Sequence, residues 1–272
     1  MTEEERFTAY VRDYDPKDPQ IALKIHHTWQ VVKAANRIAQ ELDLDDHEKR
    51  LVHLGALFHD IGRFEQVRRF HTFIDSISID HAALGYDILE KEDFLDALNE
   101  QDRTLVMNAV RDHSLFALPD YENEPAFQKT ISRIIRDADK IDIFRVIARE
   151  RTEDTSGASK SEIESQQLSG PVRKALKEGR SILRSDRKNG LDVWVSYLGF
   201  FADLNYPISW QIVRKQGYWK EPLQEMNFQN ESTRLFLEEI SARIEDQMNR
   251  ISLQPEKTGE LNSWKKTETT DA

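Results

Sequence analysis

The chain contains no cysteine. Disulfides, thiolate metal sites and cysteine nucleophiles are therefore excluded. Glycine and proline are scarce, with 10 and 8 among 272 residues, and no sustained apolar/polar alternation marks a strand. These absences predict an all-α chain. No run approaches the ~18 apolar residues of a membrane span. The opening "MTEEERFTAYVRDYD" is acidic and lacks an apolar signal region. The expectation is a soluble, cytoplasmic protein with no membrane partner. Positive charge is also short, with 38 Lys and Arg against 49 Asp and Glu and a net charge of −11. General nucleic-acid or anionic-membrane binding needs a cationic field, so it is not expected. A small phosphorylated substrate remains compatible, because a metal or a few arginines can meet its charge locally.

Hydrophobic residues still make up 39% of the chain, enough for a core with an appended lobe. A first helix is expected through "ERFTAYVRDY", ending before Pro16. Ile21, Ile25, Val32, Ala35 and Ala39 recur at helical spacing. "DDHEKRLVHLGALFHDIGRF" follows, with Asp45 or Asp46 as its cap. Residues 64–78 break the periodicity and read as a loop or short helix. Helices resume near 79–91, 101–113 and 126–150. Residues 152–170 are polar and read as a loop or linker. "VRKALKEGRSIL", "DVWVSYLGFFADL" and "STRLFLEEISARIEDQMNRI" then suggest three more helices. The expected organisation is a helical core over 1–150, a helical extension packed on it over 151–252 and a disordered tail over 253–272.

Helical phase sorts the eight histidines. His27 lies four residues before Val31 and seven before Ala34, on an apolar face. His59 follows Gly55 by four and Val52 by seven, where small residues let another helix come close. His81 shares a face with Leu84, Gly85 and Ile88, and His113 with Val106 and Val110. Asp139 lies four after Ile135 and four before Ile143. Asp60 directly follows His59. A buried imidazole or carboxylate costs several kcal/mol unless it is paired or ligated. If these helices form one bundle, their inward polar groups must meet something. A satisfied core pair is one answer and a shared cation is the other, since both groups suit transition metals.

His27 in "HHTWQVV", His59 and Asp60 in "ALFHDIGRF", and Asp139 in "RDADKID" resemble the H…HD…D signature of the HD-domain metal-dependent phosphohydrolases. His81 in "DHAALGYDIL" and His113 in "VRDHS" stand where two-metal members carry extra ligands. The resemblance covers roughly residues 21–150. It implies an HD-domain, phosphodiesterase-like helical bundle with a C-terminal helical extension. It also implies one or two divalent ions (Mn, Fe, Co, Ni or Zn, with Mg allowed). His27, His59, Asp60 and Asp139 would hold one ion, and His81 and His113 a second, with Asp60 bridging. The implied reaction is hydrolysis of a small phosphate ester, such as a nucleotide, by metal-activated water. Asp60, Arg63 and Lys140 would be catalytic. Arg63, Lys140, Lys24 and His71 would contact substrate. An HHE-type element and a GYP motif are absent, which removes the cyclic-dinucleotide phosphodiesterases of this superfamily.

Two readings of other classes stay open at the level of sequence. The same six-ligand series occurs in di-iron oxygenases of the inositol oxygenase type, and a non-catalytic nucleotide-binding regulator could share the fold. Five further side chains have plainer expectations. His53 lies seven residues before Asp60, about 10 Å along a helix, too far to share its ion. His26 faces away from His27, and His47 is a solvated first-turn residue. Arg68 and Arg69 form a solvated face or a cationic entrance. "FFADLNYPISW" reads as a packed helix end. Oligomerisation is left open.

Overall fold

Short polar signals set the helix boundaries. Thr2 and Glu5 form a capping box that opens α1 (Glu3–Val11), and Asp18 caps α2 (Pro19–Glu41), with proline in its first turn. Asp45 and Glu48 form the capping box of α3 (Asp46–Phe58). α4 (Ile61–Phe70) follows after only two residues. Asp80 caps α5 (His81–Lys91), Asn99 caps α6 (Glu100–Asp112), and α7 spans Ala126–Arg149. This computed structural model describes residues 1–252. The tail expected over 253–272 lies outside the described residues. Among the described residues every regular element is helical, and no helix is long and apolar enough to cross a membrane.

Two compact units divide the chain, Met1–Asp142 and the stretch from Ile143 onward, so the division falls within α7. In the first unit α2 packs on α3, α3 on α6, α4 on α5 and α5 on α6. Phe7 from α1 closes one side, with its ring 6.3 Å from Phe58 and 6.0 Å from Phe64. Leu54, Leu57, Phe58 and Ile61 are buried around the turn between α3 and α4. Gly55 lets α7 approach α3, because a Cβ there would lie 2.3 Å from the Ile135 side chain. Ile135 is one turn before Asp139, so this contact brings the two ligand-type segments together.

In the second unit, residues 152–170 are more ordered than their polarity suggests. They hold α8 (Thr152–Ser156) and α9 (Lys160–Ser165) and lead into α10 (Gly170–Glu178). A capping box from Ser159 and Glu162, a left-handed Gly157 and the buried Ile163 supply this order without a periodic apolar stripe. α11 (Gly190–Val195) continues as a 3-10 helix over Ser196–Asp203. α12 (Pro207–Gln216) and α13 (Glu221–Glu225), each with proline in its first turn, precede α14 (Glu231–Ser252). Phe144, Trp194, Tyr197, Phe201, Trp210 and Trp219 form an aromatic cluster in this unit. The "FFADLNYPISW" stretch contributes to it.

Backbone meets backbone closely where Gly62 faces α5. A Cβ on Gly62 would lie 2.2 Å from the His81 carbonyl oxygen and 2.7 Å from the Gly85 nitrogen. Backbone cannot move aside as a side-chain tip can. Gly62→Ala is expected to destabilise the fold by about 1–3 kcal/mol through overpacking, read by denaturant unfolding. A change within about 0.5 kcal/mol, the range of ordinary surface substitutions, would contradict this contact.

Candidate metal centre

His59 and Asp60 form the corner between two helices. His59 is the last, still helical residue at the end of α3, whereas Asp60 leaves helical geometry at φ −108° and ψ 18° before α4 starts. Its carbonyl accepts from the Arg63 N–H at 2.9 Å. The corner turns the two neighbouring side chains in different directions. His27 faces them from within α2, His81 begins α5, His113 closes α6, and Asp139 lies on α7. All six are buried except Asp139, whose side chain is 15% exposed.

Two groups of ligand-type atoms result. His27, His59 and Asp139 offer atoms within 4.8 Å of one another, and so do Asp60, His81 and His113. Asp60 faces both groups with different oxygens. Its Oδ2 lies 3.5 Å from Nε2 of His27 and 3.5 Å from Nε2 of His59. Its Oδ1 lies 3.4 Å from Nε2 of His81 and 3.7 Å from Nε2 of His113. Asp139 Oδ1 is 3.1 Å from His27 Nε2 and 3.8 Å from His59 Nε2.

The outer nitrogens decide what the inner ones can do. His59 Nδ1 donates to the Ala56 carbonyl at 2.8 Å and His113 Nδ1 to the Val110 carbonyl at 2.6 Å. A carbonyl only accepts, so these protons sit on Nδ1. His27 Nδ1 donates to Asp142 at 2.7 Å and His81 Nδ1 to Asp75 at 2.8 Å. In the neutral form each imidazole therefore presents a bare Nε2. These nitrogens meet in pairs, His27 with His59 at 3.2 Å and His81 with His113 at 3.3 Å. Lone pairs at that distance repel unless a cation lies among them. The donor set thus fits divalent metal ions, with each imidazole oriented from behind as metal-binding histidines are.

The charges agree with this demand. Burial would raise the Asp60 carboxyl, but the Lys24 and His59 charges hold it well below the usual range. Burial opposes Asp139 ionisation too, but the His27 hydrogen bond and the electrostatic pull of His27, His59 and His113 together hold its carboxyl below the usual range. Burial, then the Arg63 charge, push His81 down to about 4. Burial likewise lowers His59. His27 moves upward despite burial and Lys24, because hydrogen bonds to Asp139 and Asp142 favour its charged form. Positive charge at the His27 Nε2 position is stabilised even when a proton supplies it.

Other sequence candidates are placed differently. Lys24 reaches Asp60 Oδ2 at 2.6 Å. Arg63 donates from one terminal nitrogen to Gln66 (2.8 Å), to the Phe73 carbonyl (2.7 Å) and to Asp75 (2.9 Å). Its Nε is buried without a hydrogen-bond acceptor, 3.5 Å from Asp60 Oδ1. Lys140 is buried on α7, one position and about 100° around the helix from Asp139. His71 is exposed in the left-handed conformation that closes α4. His53 pairs with Glu4 at 3.1 Å, His47 with Asp102 at 3.1 Å, and His26 is exposed beside Gln30. Arg68 and Arg69 both pair with Glu65, which offsets part of their charge.

Asp142 and Asp75 escaped the sequence reading. Asp142 could have been found from its place three residues after Asp139 on one helix. Asp75 opens a three-residue 3-10 helix, Asp75–Ile77, too short for any periodicity to announce it.

Residues 25–143 match the family model described as HD domain, a stretch that includes all six ligand-type residues. The chain carries an HD domain. HD domains are commonly metal-dependent hydrolases, within a superfamily of metal-dependent phosphohydrolases. No curated protein and no solved structure gives a significant match. Within the HD domain, Asp142→Asn or Asp75→Asn is expected to weaken Mn2+ binding by about 10–100-fold, measured by calorimetric titration. Wild-type affinity in both variants would contradict the orienting role of these carboxylates.

Proposed function

We propose that the chain is a metal-dependent phosphohydrolase that cleaves a small phosphate ester at a centre for two ions bridged by Asp60. The observation carrying this reading is the Asp60 carboxylate, which offers one oxygen to each histidine pair. His27, His59 and Asp139 would hold one ion with Asp60 Oδ2, while His81 and His113 would hold the other with Asp60 Oδ1. Bound there, divalent ions supply Lewis acidity that neutralises phosphate charge and lowers the pKa of water toward ~7.

The chain's own residues account for the rest. The Nδ1 hydrogen bonds to Asp142, Ala56, Asp75 and Val110 hold each imidazole in one tautomer and direction. Arg63 Nε–H, buried without an acceptor beside Asp60, has a donor to offer a substrate oxygen. An unsatisfied buried donor is costly, so an anion there gains a hydrogen bond the protein does not make by itself. Lys24 brings a second cation to the same carboxylate. Their contacts with Asp60 support a place for these two residues in substrate binding. An intact donor set also favours an enzyme over a non-catalytic regulator, which needs no water-activating centre.

Chelator-treated protein is expected to regain phosphate release from a panel of phosphorylated metabolites when Mn, Fe, Co or Ni is added. Asp60→Ala should lower that rate at least about 100-fold, on the scale of the several kcal/mol a metal centre contributes. Oxygen uptake by iron-loaded protein without any phosphate release would overturn the hydrolase reading. Retention of metal and activity by Asp60→Ala would overturn the bridging role.

A further inference from the structure

The Asp60 oxygen that faces the first histidine pair has another claimant. Lys24 lies on α2 one turn before His27, and its Nζ stands 2.6 Å from Asp60 Oδ2. That oxygen is the one 3.5 Å from both His27 and His59 Nε2. The Lys24 side chain is only 16% exposed and Asp60 3%, so the pair is largely out of water. An ammonium has three donors, and one of them is spent on Asp60. It therefore neutralises Asp60, but the two donors left cannot satisfy all four bare Nε2 atoms around that carboxylate. A divalent ion on the same side would compete for the same oxygen and repel the ammonium. The lysine has somewhere to go, because its Nζ is 5.3 Å from the centroid of the Phe73 ring, within the range of a cation–π contact.

We propose that Lys24 is an internal counter-ion of the metal-free centre, displaced from Asp60 when a divalent ion binds at the His27 and His59 side. The inference rests on the metal-centre reading above and adds a consequence to it. In the metal-free protein Lys24 is the nearer of two cations beside a buried carboxylate, at 2.6 Å against 3.5 Å for Arg63 Nε, and losing it leaves that charge under-compensated, which is destabilising. In the loaded protein the displaced ammonium leans toward Phe73 and is available to an anion. The lysine thus stabilises the empty fold and weakens metal binding at the same time. The two effects share one cause and must change together.

The test uses the full chain, stripped of metal with chelator, as wild type, Lys24→Met and Lys24→Arg. Mn2+ affinity is measured by calorimetric titration and thermal unfolding is followed with and without Mn2+. Lys24→Met is expected to bind Mn2+ at least about tenfold more tightly, equivalent to about 1.4 kcal/mol. Its metal-free form should melt below wild type, and its gain in Tm on adding Mn2+ should exceed that of wild type. Lys24→Arg keeps the charge and should stay near wild type in both measurements. Equal or weaker Mn2+ affinity in Lys24→Met overturns the inference. If Lys24→Met folds only with Mn2+ while Lys24→Arg folds without it, the inference is supported; if both need Mn2+, charge is not what Lys24 supplies and the inference fails. Wild-type protein that binds no Mn2+ would overturn the metal-centre reading itself, whereas normal wild-type binding with an unchanged Lys24→Met would overturn this inference alone.

Discussion

A single buried carboxylate organises the first unit. Asp60 stands between two pairs of imidazoles, with one oxygen toward each. A charge in that position requires compensation from several directions at once. The surrounding fold supplies Lys24 from α2, Arg63 from α4 and four imidazoles oriented from behind. The close contacts of Gly62 with α5 and of Gly55 with α7 are part of the same constraint. They bring helix backbones near enough for short side chains to converge.

The helices themselves follow from local chemistry. Capping groups such as Asp18, Asp45, Asp80 and Asn99 stand at their starts, and apolar stripes choose their buried faces. The same phase that buried Val31 and Ala34 buried His27. Phase put His27, His59, His81, His113 and Asp139 on apolar faces, and the HD-domain resemblance joined Asp60 to them. Helical phase could not reveal the corner at Asp60, because "LGALFHDIGRF" reads as one continuous stripe. A change in ψ at one residue ends α3 and begins α4, and nothing in the apolar pattern marks it.

The supporting residues were harder to read for a different reason. Asp75 matters only through tertiary contacts, where Arg63, Gln66 and His81 meet it. Such contacts leave no periodic trace in a three-residue 3-10 helix. Arg63 shows the opposite case, since its type and position suggested a phosphate contact. The structure engages one of its terminal nitrogens with the loop and leaves its Nε pointed beside Asp60. Order over 152–165 arose from a capping box and one buried isoleucine, signals too small to outweigh the polarity of that stretch.

In the proposed centre Asp60 would bridge two cations held by the two histidine pairs. Anomalous diffraction from crystals soaked in Mn2+ tests it most directly. Two peaks are expected to flank the Asp60 carboxylate, roughly 3.5–4 Å apart, one beside His27 and His59 and one beside His81 and His113. Peaks away from Asp60, or none in protein shown to be folded, would contradict it.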